Sequence, residues 1–392
     1  MKDKMMNGIK KCVKAFIFFL FRLISRVGLN AHVYFEGEKP TGNAIFFGNH
    51  THMFDFMHLS LALKPYKPHF VVRAREFNRN RFYTWFLPIL GLIPKLQGAM
   101  DLVAVRTIVN TCKKGEPVVV YPEAMTSYDG RRAWTALSGT GMLARMVGVD
   151  VYVAIVSGGF MTMPRFGGFN RGRVDITIKR LFTADEAKKT SPDAIQKAIN
   201  DALNFNDWDW QEKTKKRFIG IKNMKKLEKY LYLCPNCGKT HTLSVQKKAL
   251  VCSSCGLKVT RDAYGFFKAE NGVCPGRLDE WTDLMLEKIR KDIKNDAFEL
   301  SSEVELHEKQ TSEKLYTPVC KGKLRFNKAG LFFEGESEKR TWSMDSFQFF
   351  VLNDMTFIEI NTPSQCFRFY FDDARTMYSW FFTHREIALQ AA

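Results

Sequence analysis

The sequence predicts an α/β domain, then a small four-cysteine module, then a β-rich domain closed by a C-terminal helix. Three observations carry this. From residue 30 to 205 apolar strand-like runs alternate with helical stretches, most clearly at 43–48, 68–73, 117–121 and 151–156, the pattern of an α/β layer structure. Two Cys-x2-Cys pairs follow, at Cys234/Cys237 and Cys252/Cys255, with fourteen residues between them. Beyond residue 300 the runs 356–360 and 366–371 alternate with period two, and a helical pattern from Asp373 to Ala388 closes the chain.

At 392 residues the chain has room for two or three domains. A formal net charge of +18 calls for an anionic partner: a membrane surface, a nucleic acid or a phosphorylated substrate. The nine cysteines show no regular disulfide spacing, which points to a reducing compartment and to metal.

Residues 1–29 open with Lys2, Lys4, Lys10, Lys11 and Lys14 and continue into Ala15–Phe21, before Arg22 and Arg26 interrupt the run. A spanning helix needs about 20 apolar residues, so this segment is expected to lie in the bilayer interface with its aromatic side down. A buried N-terminal helix is the plainer alternative; the dense lysines ahead of the phenylalanines favour the membrane. Within 30–205, helices are expected from Leu102 to Lys113, over Ala133–Val147, and from Ser191 to about Leu203.

Residues 206–231 change character: eight lysines and arginines from Lys213 to Lys229 accompany Phe218, Ile221, Met224, Leu227 and Leu231 at helical spacing. This reads as a basic amphipathic helix, serving either as a second membrane contact or as a solvated linker. In 232–262, each Cys-x2-Cys-Gly closes a tight knuckle, with a hairpin of Thr240–Val245 and Lys248–Val251 between the two. Four thiolates make a closed tetrahedral Zn²⁺ site with no position open to substrate, so Cys234, Cys237, Cys252 and Cys255 are expected to form a structural zinc ribbon. Residues 263–300 hold a connecting helix, and 301–392 the β-rich domain, with a hairpin turning at Asn327–Gly330 and a last helix burying Met377, Trp380, Phe381 and Ile387.

The chemistry is placed at Asn49–Asp55, directly after the apolar strand Ala44–Gly48. His50 and Asp55 form an H-x4-D pair in which the carboxylate would hold the imidazole in one tautomer and stabilise its protonated form. No other histidine has an aspartate five residues on: His52 meets Met57 and His58 meets Leu63. Three more stretches follow in order: Arg75-Glu76-Phe77 with Leu87–Lys95, then Val118–Ser127, then the apolar Val151–Val156.

With these blocks, the segment from about Asn30 to Asn206 resembles the glycerolipid acyltransferase family, whose best-known members acylate 1-acylglycerol-3-phosphate. Tyr121-Pro122-Glu123-Ala124-Met125-Thr126-Ser127 looks like that family's F-P-E-G-T-R-S, and 151–156 matches only in apolar character. The resemblance implies an α/β acyltransferase domain moving an acyl group from a thioester of coenzyme A or acyl carrier protein to a lipid hydroxyl. His50 would be the general base, Asp55 its orienting carboxylate, and Glu123 would help position the acceptor. Nothing points to an acyl-enzyme, since no G-x-S-x-G elbow is present.

The family's motif has glycine and arginine where this chain has Ala124 and Thr126, and that arginine is thought to grip the acceptor's phosphate. Arg131 and Arg132 follow closely enough to replace it, as could Lys95, which stands where the second block often has arginine, and Arg73 and Arg75 are two further cationic candidates. The acceptor is therefore expected to be a lysophospholipid or another lipid alcohol. The β-rich domain is similar in architecture to the pleckstrin-homology and GRAM-like superfold. The expected setting is the cytoplasmic side of the cell membrane, peripheral or monotopic, against an anionic surface. Two rival readings remain: a catalytically altered membrane scaffold, motivated by the changed third motif, and a zinc-ribbon nucleic-acid-binding protein. No nucleic acid is expected, because the basic residues accompany apolar, aromatic stripes.

Overall fold

The computed structural model describes residues 2–77, 80–96, 101–220, 224–310, 315–347, 349–353 and 356–391, the side chains of 2–7, 75, 349–353 and 391 excepted. The side chains of Lys2, Lys4 and Arg75, and residues Ile221 and Lys222, thus lie outside the described residues. The chain divides into two compact units, Met1–Asn223 with Ala263–Gly265, and Met224–Asp262 with Phe266–Ala392.

The first unit is built on seven strands: β1 (Ala31–Glu36), β2 (Ala44–Gly48), β3 (His69–Arg73), β4 (Ile93–Lys95), β5 (Val118–Val120), β6 (Asp150–Ser157) and β7 (Val174–Phe182), in the order β1-β7-β6-β2-β5-β3-β4. Strands β2 to β6 run parallel, while β7 is antiparallel to β6 and carries β1 beside it. Every residue of β2 is buried, as an apolar run in the middle of a parallel sheet requires. Its side chains alternate between two cores: Ile45 and Phe47 join Ile108, Ala144 and Ile195 on one face, and Ala44 and Phe46 join Phe18, Leu59 and Tyr152 on the other. The helices covering these faces include α1 (Lys2–Leu23), α2 (Asp55–Ala62), α3 (Ala74–Phe77), α4 (Arg81–Leu90), α5 (Leu102–Lys113), α6 (Thr140–Val147), α7 (Gly159–Thr162), α8 (Ala184–Lys189), α9 (Pro192–Ala202) and α10 (Asp207–Thr214).

Two expected helices come out differently. Only Thr140–Val147 of the stretch 133–147 is helical. The amides before it are taken by other partners: Ala133 by the Glu123 carboxylate, Ala136 by Asn200 Oδ1 and Leu137 by the Pro122 carbonyl, and Gly139 turns left-handed at φ 86°. The stretch 206–231 is not one amphipathic helix either. It holds α10 and, in the second unit, the short α11 (Leu227–Tyr230). Lys215 ends α10 in the left-handed region at φ 48°, Phe218 is buried, and Ile219 exchanges backbone hydrogen bonds with Arg171, so burial of one apolar residue outweighs helical propensity.

Helix α1 packs one side inward, with Phe18 buried and the Phe21 ring 4.9 Å from Phe56. Its other side leaves Ile9, Phe16, Phe19 and Leu23 exposed, and the π-helical turn Ile24–Gly28 adds Ile24 and Val27. Among the described residues no helix is long and apolar enough to cross a membrane.

The second unit holds two antiparallel sheets. One has β8 (Leu243–Gln246), β9 (Ala249–Cys252), β10 (Lys258–Arg261) and β11 (Phe267–Asn271) in the order β11-β10-β9-β8. Helix α12 (Leu278–Asp292) seals it, burying Trp281, whose indole donates to the Leu233 carbonyl at 2.9 Å. The other has β12 (Leu300–Gln310), β13 (Thr317–Asn327), β14 (Gly330–Gly335), β15 (Lys339–Ser343), β16 (Phe349–Asn353), β17 (Phe357–Asn361) and β18 (Gln365–Phe371), in the order β15-β14-β13-β12-β18-β17-β16. The final helix α13 (Met377–Ala391) buries Met377, Trp380, Phe381 and Ile387.

Candidate active site and metal centre

The carboxyl ends of β2, β5, β3 and β4 lie along one edge of the first sheet, the place where parallel α/β sheets display reactive side chains. Asn49, the first residue past β2, is locked to β6: its Nδ2 donates to the Val156 carbonyl at 2.9 Å, and Val156 N–H donates to its Oδ1 at 2.7 Å. His50 follows, and its Nδ1 lies 2.7 Å from Asp55 Oδ2. Asp55 begins α2 and is fully buried, whereas the His50 side chain is 23% exposed. Asp55 also accepts from the amides of Thr51 at 2.6 Å and His52 at 3.1 Å, and from Thr51 Oγ1 at 2.7 Å. Burial alone would raise its pKa; the imidazoles of His52 and His50 outweigh that and hold it down to about 2. An ionised Asp55 fixes the His50 proton on Nδ1 and leaves the Nε2 lone pair toward solvent. Behind the imidazole the Tyr121 ring stacks at 4.6 Å, its buried hydroxyl without a partner among the described residues.

The third motif braces this loop. Ser127 N–H donates to the His50 carbonyl at 2.8 Å. Glu123, only 2% exposed, accepts from Ala133 N–H at 3.0 Å through Oε2, while its buried Oε1 has no partner among the described residues. Burial pushes its pKa up to about 8. Its place is therefore beneath the loop rather than on the surface an acceptor would touch. Ala124 has φ 56°, so the left-handed turn is kept where the resembled motif has glycine. Asp207, unremarked in the sequence, is also fully buried, accepting from the amides of Gly158 at 2.7 Å and Phe160 at 2.9 Å, with burial raising its pKa to about 7.

The expected cations are placed unequally. Arg73 and Lys95 are register partners at the ends of β3 and β4, on the same edge as His50. Arg131 is held by Asp129 at 2.8 Å. Arg132 donates to the Trp134 and Asn200 carbonyls at 2.7 and 2.6 Å, which commits it to α9. Thr126 is half-buried, and its carbonyl accepts from Arg165 Nη2 at 3.0 Å. Arg165 stacks 4.3 Å over the Tyr128 ring, a cation that sequence distance hid.

Sequence reasoning also passed over His52 and His58. Both are buried, with their Nε2 atoms 3.1 Å apart, and His58 Nδ1 lies 2.8 Å from Ser25 Oγ. No spacing rule singles them out; only their packing against α1 and Asp55 does.

In the second unit the sulfurs of Cys234, Cys237, Cys252 and Cys255 all lie within 4.8 Å of one another and could hold one metal ion. Each knuckle closes on itself: Gly238 N–H donates to the Cys234 carbonyl and Gly256 N–H to that of Cys252, both glycines at positive φ.

Residues 30–157 match the model of the family described as Acyltransferase, a span that contains both the His50–Asp55 loop and the third motif. Among solved structures the chain is similar to the 1-acyl-sn-glycerophosphate (LPA) acyltransferase PlsC from Thermotoga maritima, at 20% identity and a TM-score of 0.40, over 52% of this chain and 80% of that one. No curated protein matches significantly.

Proposed function

We propose that this protein moves a fatty acyl group from a thioester, acyl-CoA or acyl carrier protein, to the hydroxyl of a lysophospholipid or related glycerolipid. The observation that carries the reading is the His50–Asp55 pair, 2.7 Å apart on the loop after β2, inside the span matching the acyltransferase family. Nε2 of His50 takes the proton of the acceptor hydroxyl as its oxygen attacks the thioester carbonyl. The tetrahedral intermediate collapses with loss of thiolate, and the imidazolium returns the proton to sulfur. Asp55, ionised and buried, holds the ring and balances its positive charge. Arg73 and Lys95, at the carboxyl ends of β3 and β4 on the edge that carries His50, are the cations proposed for an acceptor phosphate.

The four cysteines would hold a structural Zn²⁺. A tetrahedron with Zn–S bonds of about 2.3 Å has edges of about 3.8 Å. The Cys234–Cys255 and Cys237–Cys252 sulfurs are 3.7 and 3.9 Å apart, which supports that fit. The four ligands saturate the ion and leave it no part in the transfer. Residues 301–392 would form a pleckstrin-homology/GRAM-like domain, a reading supported by seven antiparallel strands closed by α13. The exposed apolar side of α1, with the exposed Lys10 and Lys11 on the same helix, supports peripheral attachment to an anionic cytoplasmic membrane face, whereas Lys14 is half-buried and turns inward over the Phe18 ring.

The test is thiol release from long-chain acyl-CoA and acyl carrier protein with lysophosphatidate and uncharged lyso-lipids offered in parallel, products identified by mass spectrometry. At least one lyso-lipid should be acylated. Thioesters left intact with every acceptor would end the reading in favour of a scaffold.

A further inference from the structure

Behind Asp55 runs a line of buried polar groups that the proposed reaction does not use. Phe54 N–H donates to His52 Nδ1 at 3.0 Å, so that nitrogen carries a lone pair and the His52 proton sits on Nε2. His52 Nε2 is 3.1 Å from His58 Nε2, which must therefore accept, placing the His58 proton on Nδ1. His58 Nδ1 is 2.8 Å from Ser25 Oγ, which accepts it. Ser25 and His58 are wholly buried and His52 nearly so, and every ring nitrogen has one role. The direction of the whole line is thus set by the Phe54 amide, and Ser25, whose hydroxyl can accept, satisfies its far end.

That direction matters to Asp55. His52 Nε2 lies 3.6 Å from Asp55 Oδ1 as well as facing His58. In the tautomer fixed by Phe54 the positive end of that N–H, donated to His58, lies near the carboxylate but beyond hydrogen-bond distance; in the opposite one a lone pair would face a negative charge in a buried site. His52, His58 and Asp55 are close enough to hold a metal ion. The proton required on His52 Nε2 occupies the atom that would have to bind it, so the donor pattern favours a hydrogen-bonded line over a metal site.

We propose that Ser25, His58 and His52 act as one positioning line for Asp55, joining the end of the amino-terminal helix to the catalytic pair. This rests on the acyltransferase reading of the same site. Ser25 sits on the turn Ile24–Gly28 that continues α1, the helix whose outer side is apolar. Seating of that turn on α2 thereby becomes a condition for a correctly held Asp55. Burial disfavours the charged form of both imidazoles, pushing His58 down to about 3, so near neutral pH the line acts through the direction of its hydrogen bonds.

The experiment uses the full chain labelled with nitrogen-15 at its eight histidines. Ring-nitrogen shifts, assigned with His52→Gln and His58→Gln, should report Nε2–H at His52 and Nδ1–H at His58. Ser25→Ala should lower kcat roughly tenfold with KM unchanged, because the buried His58 Nδ1–H loses its acceptor and the line is no longer anchored at that end. Ser25→Thr, which keeps the hydroxyl, should recover most of the loss. The opposite tautomers, or Ser25→Ala with wild-type kcat, would overturn the proposal. If the wild type acylates nothing, the functional reading fails by itself, and the tautomer spectrum still decides the line.

Discussion

The H-x4-D loop of the first unit and the cysteine cluster of the second are built from equally short stretches of sequence, yet they are held in opposite ways. Each cysteine knuckle is closed by its own backbone and its own glycine, so the spacing already contains the structure. The H-x4-D loop is closed by groups far away in the chain: Val156 on Asn49, Ser127 on His50, Ser25 through His58 and His52 behind Asp55. A locally closed site needs only its metal to form, whereas the loop needs the finished fold. Perturbing each therefore separates the two.

The largest expected effect lies in the loop. His50→Ala should reduce acyl transfer by about 10²–10⁴-fold, the usual worth of a positioned general base, and the loss should appear in kcat. Metal content, measured on the same preparation, should remain one zinc per chain. Next comes Cys252→Ser, which removes a metal ligand and should markedly lower the thermal midpoint of the second unit, followed by hydrogen exchange in peptides of β8–β11. Chelation should not compete with substrate, because the proposed ion has no open position. A folded, metal-free protein of full stability would remove the zinc reading.

The pH responses should also be opposite. Glu123 titrates near 8 when folded against 4.5 ordinarily, and Asp207 near 7 against 3.8. Both bind their proton more tightly in the folded state, so their contribution is complete below the ordinary values and is lost as pH rises through the folded ones. His58 is pushed below its ordinary 6.5 and so no longer opposes this trend above that pH. Stability of the first unit should therefore fall above about pH 6.5, by up to about 1.4 kcal/mol per pH unit for each group, from both groups until about pH 7 and from Glu123 alone until about pH 8. Denaturant titrations read by hydrogen exchange in α2 peptides would show it, and Glu123→Gln should flatten the slope. The cysteine cluster should bind metal more tightly over the same range, since its thiols must lose protons.

How much was legible follows the same division. Spacing located the four cysteines, and the apolar run with its polar end located β2 and His50. Strand β7 was missed although Val174, Ile176 and Ile178 alternate inward, a period-two signal present in the sequence. The short reach of α6 was not legible, because the amides of Ala133 and Ala136 are taken by side chains 10 and 64 residues away. The buried line through Ser25, and the buried carboxyls of Glu123 against Ala133 and of Asp207 against Gly158 and Phe160, exist only once distant segments meet. Arg132 shows the converse: close to the motif in sequence, it is spent on α9.

The smallest effect tests the turn that kept its shape without its glycine. Ala124 at φ 56° is strained, so Ala124→Gly should stabilise the first unit by at most about 1 kcal/mol, the relief being offset by the freer unfolded chain. Denaturant midpoints would resolve it.

Whether His50 and Asp55 are one device is tested most directly by combining them. Turnover would be measured for His50→Ala, Asp55→Asn and the double variant with the best acceptor from the lipid panel. Because Asp55 acts only through the imidazole it holds at 2.7 Å, the double variant should be no slower than His50→Ala alone. Losses that multiply would mean that the two residues work independently and would contradict the account.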